Sequence, residues 1–296
     1  MSEPTMEPTA EPTVEPTVEP TVPPDRFAGL TAAERFNVRA IEWWHSVRPL
    51  RWLSAVSGHY ISRNAIKVVC GNLVRTHHFE QVRDLPLERG VLLCASHRSF
   101  LDNFAVSSFA WDHVPASMRF VVPSRTEGVY DHWFGILVNI VLGCGNIYPP
   151  IVRGSRGTLW GKQVIEILIG VLNGGPTVVP IHPEGGRNKG PDPYSLMRGR
   201  PGLGKIIHQT RASVLPVFLH GFPVGPWAVL RENYRPGARK RPHVHAVMGP
   251  PVDFSAERAQ PGSPALYYEI SQKLVAAIAA LMDEEKALRA ATPAPK

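Results

Sequence analysis

Short apolar runs alternate with longer stretches of helical periodicity over most of the chain beyond Phe79. Several of these runs are apolar at every position, which is typical of strands that are covered on both faces. We predict strands at residues 91–95, 119–122, 177–181, 214–220 and 243–248, and helices at residues 102–111, 130–142, 157–172, 202–210 and 264–290. This order predicts an α/β fold in which a mostly parallel central sheet is flanked by helices.

The segment of residues 25–78 precedes this alternation and is helical and amphipathic from Thr31 to about Val74. Thr31 and Glu34 have the spacing of a capping box, so the first helix should begin there. Arginines and tryptophans recur along the segment, and a basic pair of helices that carries tryptophan can lie in the interface of an anionic membrane. A helical hairpin that packs on the domain of residues 79–290 is an equally good interpretation.

Residues 133–142 are apolar almost all round, which favours a core helix over the alternative of a wall of an acyl channel. The longest apolar run, residues 133–147, has about 15 residues and is shorter than the roughly 20 that a membrane-spanning helix needs. We therefore predict no membrane-spanning helix.

The first 24 residues repeat the theme Glu-Pro-Thr every four positions. A proline at every fourth position removes backbone donors and disfavours both helix and sheet, so we expect a disordered tail. The same stretch is acidic and rich in proline where a secretory signal would be basic and then apolar. At the other end, we expect residues 291–296 to form a flexible C-terminus.

The formal net charge is +7, and the first 24 residues hold five glutamates and no lysine or arginine, which leaves about +12 on the rest of the chain. Such a surplus favours anionic partners: phosphorylated metabolites, acidic membrane surfaces or nucleic acid. The basic residues are dispersed except at residues 235–242, so we expect no nucleic-acid partner. The three cysteines lack the spacing of a zinc site and are typical of a reducing, cytosolic compartment, so we predict no metal.

Ligands of open α/β sheets bind outside the carboxyl ends of the strands, so the residues after each predicted strand are the candidates for chemistry. The stretch "SHRSFLD" places His97 just before a helix and Asp102 in its first turns. The carboxylate can then reach one imidazole nitrogen and leave the other to take a proton from a hydroxyl. A helix N-terminus that is capped by Ser99 or Asp102 explains the same stretch equally well.

Two further strand ends carry distinctive residues. In "IHPEGGRNKG", backbone amides exposed by glycine lie beside Arg187, which suits a phosphate, although a surface turn with an ion pair is an alternative. In "ASVLPVFLHG", Pro216 interrupts an apolar strand. Because proline cannot donate to a ladder, it predicts an edge strand, a bulge or a place where a ligand approaches.

In their order and spacing, these strand ends resemble the glycerolipid acyltransferase superfamily, whose best-known members are the 1-acylglycerol-3-phosphate (lysophosphatidate) acyltransferases. The first motif of that family, N-H-x-x-x-x-D, corresponds to residues 96–102. The third motif, F-P-E-G-T-R-S, corresponds to residues 182–188, with His182 and Gly186 in place of the usual Phe and Thr. The fourth, an apolar strand with a proline, corresponds to residues 214–217. The second motif, G-x-I-F-I-D-R, is approximated by "GNIYPPIVRG", in which Arg153 falls two positions late.

The resemblance implies direct acyl transfer without a covalent enzyme intermediate. His97 would be the general base for the acceptor hydroxyl, Asp102 would orient it, and backbone amides would stabilise the oxyanion. The residues implied for the acceptor phosphate are Glu184, Gly185, Arg187 and Arg153, and the other implied pocket residues are Tyr148 and Pro216. Arg125 stands where relatives often carry a basic residue. One small acceptor must reach both His97 and Arg187, so we expect them within about 15 Å of each other.

The implied reaction moves a fatty acyl chain from acyl-CoA or acyl-carrier protein to lysophosphatidate, with no cofactor besides that co-substrate. The same chemistry on glycerol 3-phosphate, another lysophospholipid or a glycolipid is an alternative, and so is a lipid-binding relative without turnover. Because a long-chain donor and a lysolipid acceptor reside at a bilayer, we expect a peripheral protein on the anionic, cytoplasmic face of a membrane.

Overall fold

Eight strands organise the chain in the computed structural model, which describes residues 25–240 and 243–292. The strands are β1 (Val74–His77), β2 (Val91–Ala95), β3 (Arg119–Phe120), β4 (Val122–Arg125), β5 (Ile147–Ile151), β6 (Thr177–Ile181), β7 (Ser213–Phe218) and β8 (Val244–Met248). The predicted tail of residues 1–24 and residues 293–296 of the predicted flexible C-terminus lie outside the described residues.

The central sheet has six strands in the order β1-β8-β7-β2-β6-β3. All neighbours are parallel except β7 and β8, and β4 and β5 form a separate parallel pair. Every residue of β2 is buried, because alternate side chains enter two different cores. Leu92 and Cys94 pack into one core, and Leu93 and Ala95 pack into the other. The prediction of an α/β fold with a mostly parallel sheet flanked by helices is confirmed.

Helices cover both faces of the sheet. They are α1 (Ala32–Ser46), α2 (Arg48–Ser57), α3 (Arg63–Cys70), α4 (Asp102–Ala110), α5 (Gly135–Gly143), α6 (Ser155–Asn173), α7 (Pro201–Gln209), α8 (Pro226–Asn233), α9 (Ser255–Arg258), α10 (Pro264–Ala279) and α11 (Met282–Ala291), with a π-helix at Gly58–Ser62 between α2 and α3. No helix within residues 25–240 and 243–292 is long and apolar enough to cross a membrane.

The helical segment of residues 25–78 begins as predicted. Thr31 Oγ1 accepts a hydrogen bond from the Glu34 amide, and the Glu34 carboxylate accepts one from the Thr31 amide, which completes the capping box. Val38 and Ile41 of α1 are fully buried in the core beneath the sheet. The segment is not helical to its end, because residues 74–77 form β1 and pair with β8.

Three predicted boundaries are wrong for reasons that lie outside the local sequence. The strand predicted at residues 119–122 divides into β3 and β4, because the Val121 amide donates to Val178 of β6 whereas the Val122 amide donates to Asn146. The helix predicted at residues 264–290 is two helices that break at Ala280. The predicted 130–142 helix begins only at Gly135.

Helix α5 is not the core helix that its composition predicts, and the alternative of an acyl-channel wall stays a prediction. Leu137, Val141 and Leu142 are each at least 60% exposed, and Trp133 and Phe134 just before the helix are equally exposed. Asn139, on the opposite side, is buried and bonds to Ile147. The helix therefore lies on the surface with one apolar face turned outward, while Ile136 packs against the core.

Candidate active site

The first and third motifs meet at the carboxyl ends of β2 and β6, because β2 lies between β6 and β7 and all three strands are parallel. Both sides of the His97 peptide are bound by the loop after β6. The His97 amide donates to Glu184 Oε1 at 3.0 Å, and the His97 carbonyl accepts from the Asn188 amide at 2.7 Å. Arg187 is the chain neighbour of Asn188, so the backbones at His97 and Arg187 meet well within the expected separation of about 15 Å.

His97 and Asp102 form the pair that the spacing predicts. His97 Nδ1 lies 3.3 Å from Asp102 Oδ2, and the same oxygen accepts from the Arg98 and Ser99 amides at 2.6 Å each. Helix α4 begins at Asp102, so this carboxylate serves both the helix N-terminus and the imidazole. The two interpretations of this stretch are therefore compatible. Since Nδ1 faces Asp102, Nε2 is the nitrogen left for a substrate.

Burial and charge set the protonation of this pair. Burial, and then the guanidinium groups of Arg187, Arg153 and Arg125, lower the pKa of His97 from 6.5 to about 4. Burial raises the pKa of Asp102 from 3.8 to about 6, against the backbone amides that stabilise its charge. At neutral pH, His97 is therefore unprotonated and Asp102 is ionised, which is the state that a general base and its orienting carboxylate require.

The three arginines that act on His97 form a cationic wall. Arg187 and Arg153 are exposed, and neither has a carboxylate oxygen within 4.0 Å among the described residues. Arg153 reaches the glycine turn, where its guanidinium lies 3.9 Å from the position of a β-carbon on Gly186. The structure thus brings Arg153 to the site despite its late position in the second motif, and it brings Arg125 there as well.

Glu184 and Gly185 stabilise the turn after β6, Glu184 through hydrogen bonds to backbone amides and Gly185 through its backbone conformation. Glu184 is 2% exposed, and its Oε2 accepts from the Met197 amide at 2.8 Å while its Oε1 accepts from His97. Gly185 has φ +67°, which favours glycine, and a β-carbon there would lie 2.9 Å from Arg200 Cγ. The contacts of Glu184 join two loops and leave neither oxygen without a protein partner.

Tyr148 and Pro216, expected in the pocket, make their contacts elsewhere. Tyr148 is 4% exposed within the core, and its hydroxyl donates to Glu42 at 2.7 Å. Pro216 is on β7, an interior strand between β8 and β2, so the expectation of an edge strand is wrong. Its carbonyl accepts from the Gly249 amide at 2.9 Å, and the Gly249 carbonyl accepts from Gln81 Nε2 at 2.9 Å in place of the donor that proline lacks.

The sequence did not single out His182 as a contact of the base. Its ring lies face to face on His97, with centroids 3.7 Å apart and planes at 6°. His182 Nδ1 lies 2.9 Å from the Ala95 carbonyl, and its buried Nε2 has no partner among the described residues. The only signal in the sequence is that histidine replaces the usual phenylalanine of the third motif.

Comparisons with known proteins agree with this geometry. The family model described as Acyltransferase matches residues 74–220, a range that starts at β1, ends just after β7 and contains both motifs of the site. No curated protein matches the chain. The match, together with the parallel sheet that brings the two motifs to one edge, shows that the chain belongs to the acyltransferase family, within the glycerolipid acyltransferase superfamily, and that its chemistry is acyl transfer.

Proposed function

We propose that the chain transfers a fatty acyl group from acyl-CoA or acyl-carrier protein to the hydroxyl of lysophosphatidate in phospholipid biosynthesis. The observation that supports this most directly is the His97–Asp102 pair, whose imidazole lies close enough to Arg187 and Arg153 for their charges to lower its pKa. A neutral imidazole provides the base, and cations without carboxylate partners suit an anionic phosphate. The same wall of arginines suits the phosphates of an acyl-CoA donor.

The reaction needs only groups that this arrangement provides. His97 Nε2 takes the proton of the acceptor hydroxyl while its oxygen attacks the thioester carbonyl. The tetrahedral intermediate then expels the thiolate, which takes the same proton from His97, and an ester and a free thiol result. Asp102 holds the imidazole and stabilises the imidazolium between these steps. No nucleophilic serine or cysteine of the enzyme takes part.

The turn after β6 provides the proposed donors for the charges of the reaction. The Gly185 amide donates to the His182 carbonyl, and the Asn188 amide donates to His97. The Gly186 and Arg187 amides between them have no protein acceptor among the described residues, so we assign them to a substrate oxygen. Glu184, which the resemblance implied for the phosphate, is assigned to holding the His97 peptide, because its oxygens face amides and a carboxylate repels a phosphate.

Turnover of labelled acyl-CoA with lysophosphatidate tests this proposal. His97→Ala should lower kcat by about a hundredfold or more, because it removes the general base. His113→Ala, at a histidine of the short helix after α4, is the matched control and should leave kcat unchanged. Full turnover by His97→Ala would refute the assigned base.

A panel of acceptors separates lysophosphatidate from the alternatives. Arg187→Ala and Arg153→Ala should each raise KM about tenfold for phosphorylated acceptors, the loss expected for one partly exposed charged contact. A phosphate-free glycolipid should show no such change. If that glycolipid is the better acceptor and is insensitive to both substitutions, the acceptor assignment is wrong. If vesicles bind but no donor and acceptor pair reacts, the protein is a lipid-binding relative.

We further propose an anionic membrane as the partner surface, through an apolar belt of exposed side chains. The belt consists of Phe36, Trp133, Leu137, Ile61, Val68 and Trp227. The Phe36 ring of α1 lies against the Trp133 ring, with centroids 5.8 Å apart. Helix α5 contacts the π-helix, and α3 contacts α8, after which the Tyr234 hydroxyl donates to the Val68 carbonyl. The elements that carry the belt are therefore in contact from the helical segment to α8.

The position and charge of the belt favour a lipid surface. Helix α8 follows β7, whose carboxyl end shares the sheet edge with the site, and Asn233 at its end binds the Asn72 amide just before β1. Exposed arginines flank both ends of the belt, with Arg39 near Phe36 and Arg231 near Trp227. Aromatic side chains with neighbouring arginines are typical of interfacial anchors on anionic lipid.

Sedimentation with vesicles tests the belt. The protein should bind phosphatidylcholine vesicles that contain phosphatidate and should lose binding as salt increases. Trp133→Ser and Trp227→Ser should weaken binding without lowering turnover of a water-soluble short-chain acceptor. Tyr268→Ser, at an exposed aromatic residue of α10, is the control. Unchanged binding in both tryptophan variants would refute the belt.

A further inference from the structure

His182 and His97 form the most closely stacked pair of rings in the described part of the chain. Their centroids are 3.7 Å apart and their planes deviate by 6°. His97 is the second residue after β2, and His182 is the first residue after β6. Since these strands are adjacent and parallel, both rings stand at the same sheet edge, and one face of His97 is covered by the His182 ring.

The contacts of His182 fix its tautomer. The Ala95 carbonyl can only accept a hydrogen bond, so His182 Nδ1 carries the proton and donates it at 2.9 Å. His182 Nε2 is then an unprotonated nitrogen, buried and without a partner among the described residues. Burial, and then the neighbouring His97, lower the pKa of His182 to about 4. At neutral pH, His182 is therefore a neutral imidazole ring that is held in place by one hydrogen bond, from Nδ1 to the Ala95 carbonyl.

The stacked His182 ring can fix the plane of the His97 imidazole, which the contact to Asp102 does not fix alone. At 3.3 Å, the bond from His97 Nδ1 is long for a hydrogen bond, and a single bond does not fix the plane of the imidazole. The stacked ring fixes that plane and excludes water from one face. When His97 takes the substrate proton, the imidazolium lies on the face of a neutral aromatic ring, an attractive arrangement, beside the cationic Arg187, Arg153 and Arg125.

We infer that His182 is a positioning residue for the acyl-transfer base, and that its neutral ring holds the plane of His97 and favours the protonated state that forms during turnover. This inference rests on the proposed role of His97. It makes a specific distinction: the flat ring at position 182 matters, and its nitrogen atoms matter less. A phenylalanine at position 182 should therefore preserve kcat, whereas an aliphatic side chain there should lower it.

Three substitutions in the full chain test the inference by kcat, by KM for lysophosphatidate and by NMR titration of the His97 imidazole. His182→Leu should lower kcat about tenfold, the loss expected for one aromatic contact to a cation, and leave KM unchanged. It should also lower the pKa of His97 further, because the imidazolium loses an attractive aromatic face while leucine still keeps water away from it. His182→Phe should keep kcat and the low pKa of His97. If His182→Leu does not fold, His182→Asn, which keeps a donor for the Ala95 carbonyl but has no ring, takes its place.

The matched control is His245→Leu, because His245 is a buried histidine that stacks on His77 with centroids 5.4 Å apart, at another part of the sheet. It should leave kcat and the His97 titration unchanged. Equal kcat for His182→Leu and the unaltered chain, or equal losses for His182→Leu and His182→Phe, would overturn the inference. If the unaltered chain has no turnover with any donor and acceptor, the proposed function fails. The titration of His97 in the variants still decides whether the stack controls its pKa.

Discussion

Glu184→Gln tests whether this carboxylate positions the base or binds the acceptor phosphate. Glu184 is buried and accepts hydrogen bonds from the His97 amide at 3.0 Å and from the Met197 amide at 2.8 Å. Glutamine can accept from only one of these amides, and its own amide group then faces the other. One bond to a charged acceptor is lost and a buried N–H group is left without a partner, which should cost about 2–4 kcal/mol of unfolding free energy.

The assay separates the two roles through KM and kcat. If Glu184 positions the base, Glu184→Gln should lower kcat at least about tenfold through displacement of His97, with an unchanged KM for the phosphorylated acceptor, since about 1.4 kcal/mol of lost transition-state stabilisation is tenfold in rate. The melting temperature should fall by roughly 5 °C or more. Glu166→Gln removes an exposed ion pair with Lys205 in α7 and should change neither quantity measurably. A variant that keeps kcat and raises KM for the acceptor would refute the positioning role.

Two further predictions follow from the ionisation of buried carboxylates. For the unaltered enzyme, kcat/KM should fall as the pH drops through about 6, where Asp102 becomes protonated. Asp102→Asn should lower kcat/KM about a hundredfold at neutral pH. The acid limb that remains in this variant should move towards the pKa of His97, about 4. An acid limb still near pH 6 in Asp102→Asn would contradict this assignment. Although burial alone would raise the pKa of Glu285, the nearby His220 imidazole and hydrogen bonds from the Arg289 and Tyr194 side chains lower it from 4.5 to about 2. The ionised carboxylate therefore contributes about 3 kcal/mol above pH 4.5 that is lost as the pH falls towards 2, so denaturant unfolding of Glu285→Gln should show this deficit at neutral pH and none near pH 2. A deficit that is independent of pH would contradict this linkage.

The sequence predicts those parts of the fold that depend on local pattern. The apolar run at β2 is covered on both faces, β6 is buried at four of its five positions, and the spacing of Thr31 and Glu34 forms the capping box. The division between β3 and β4 is decided by different partners for neighbouring amides, at Val178 and Asn146, and nothing in the local pattern encodes that choice. Likewise, the apolar composition of α5 cannot tell a covered helix from an exposed one.

The candidate site shows the same division between local and distant information. The five-residue spacing of His97 and Asp102 is sufficient to predict their contact, because both residues belong to one strand-to-helix connection. The contacts of Glu184 depend on Met197, which no motif marks, and the stack of His182 on His97 depends on the adjacency of β2 and β6. The motifs therefore predict where the site is. The contacts that Glu184 and His182 make there depend on the order of the strands and could not be predicted from the motifs.

The hydrogen bonds that bind both sides of the His97 peptide also determine when the site comes into existence during biosynthesis. The bond from the His97 amide to Glu184 spans 87 residues of chain, so it closes one of the longer loops of the domain. A nascent chain that has not yet released β6 from the ribosome holds its histidine in an open loop, without the carboxylate, the arginines or the stacked ring around it. The base is thus assembled only in chains that have been synthesised beyond the loop after β6.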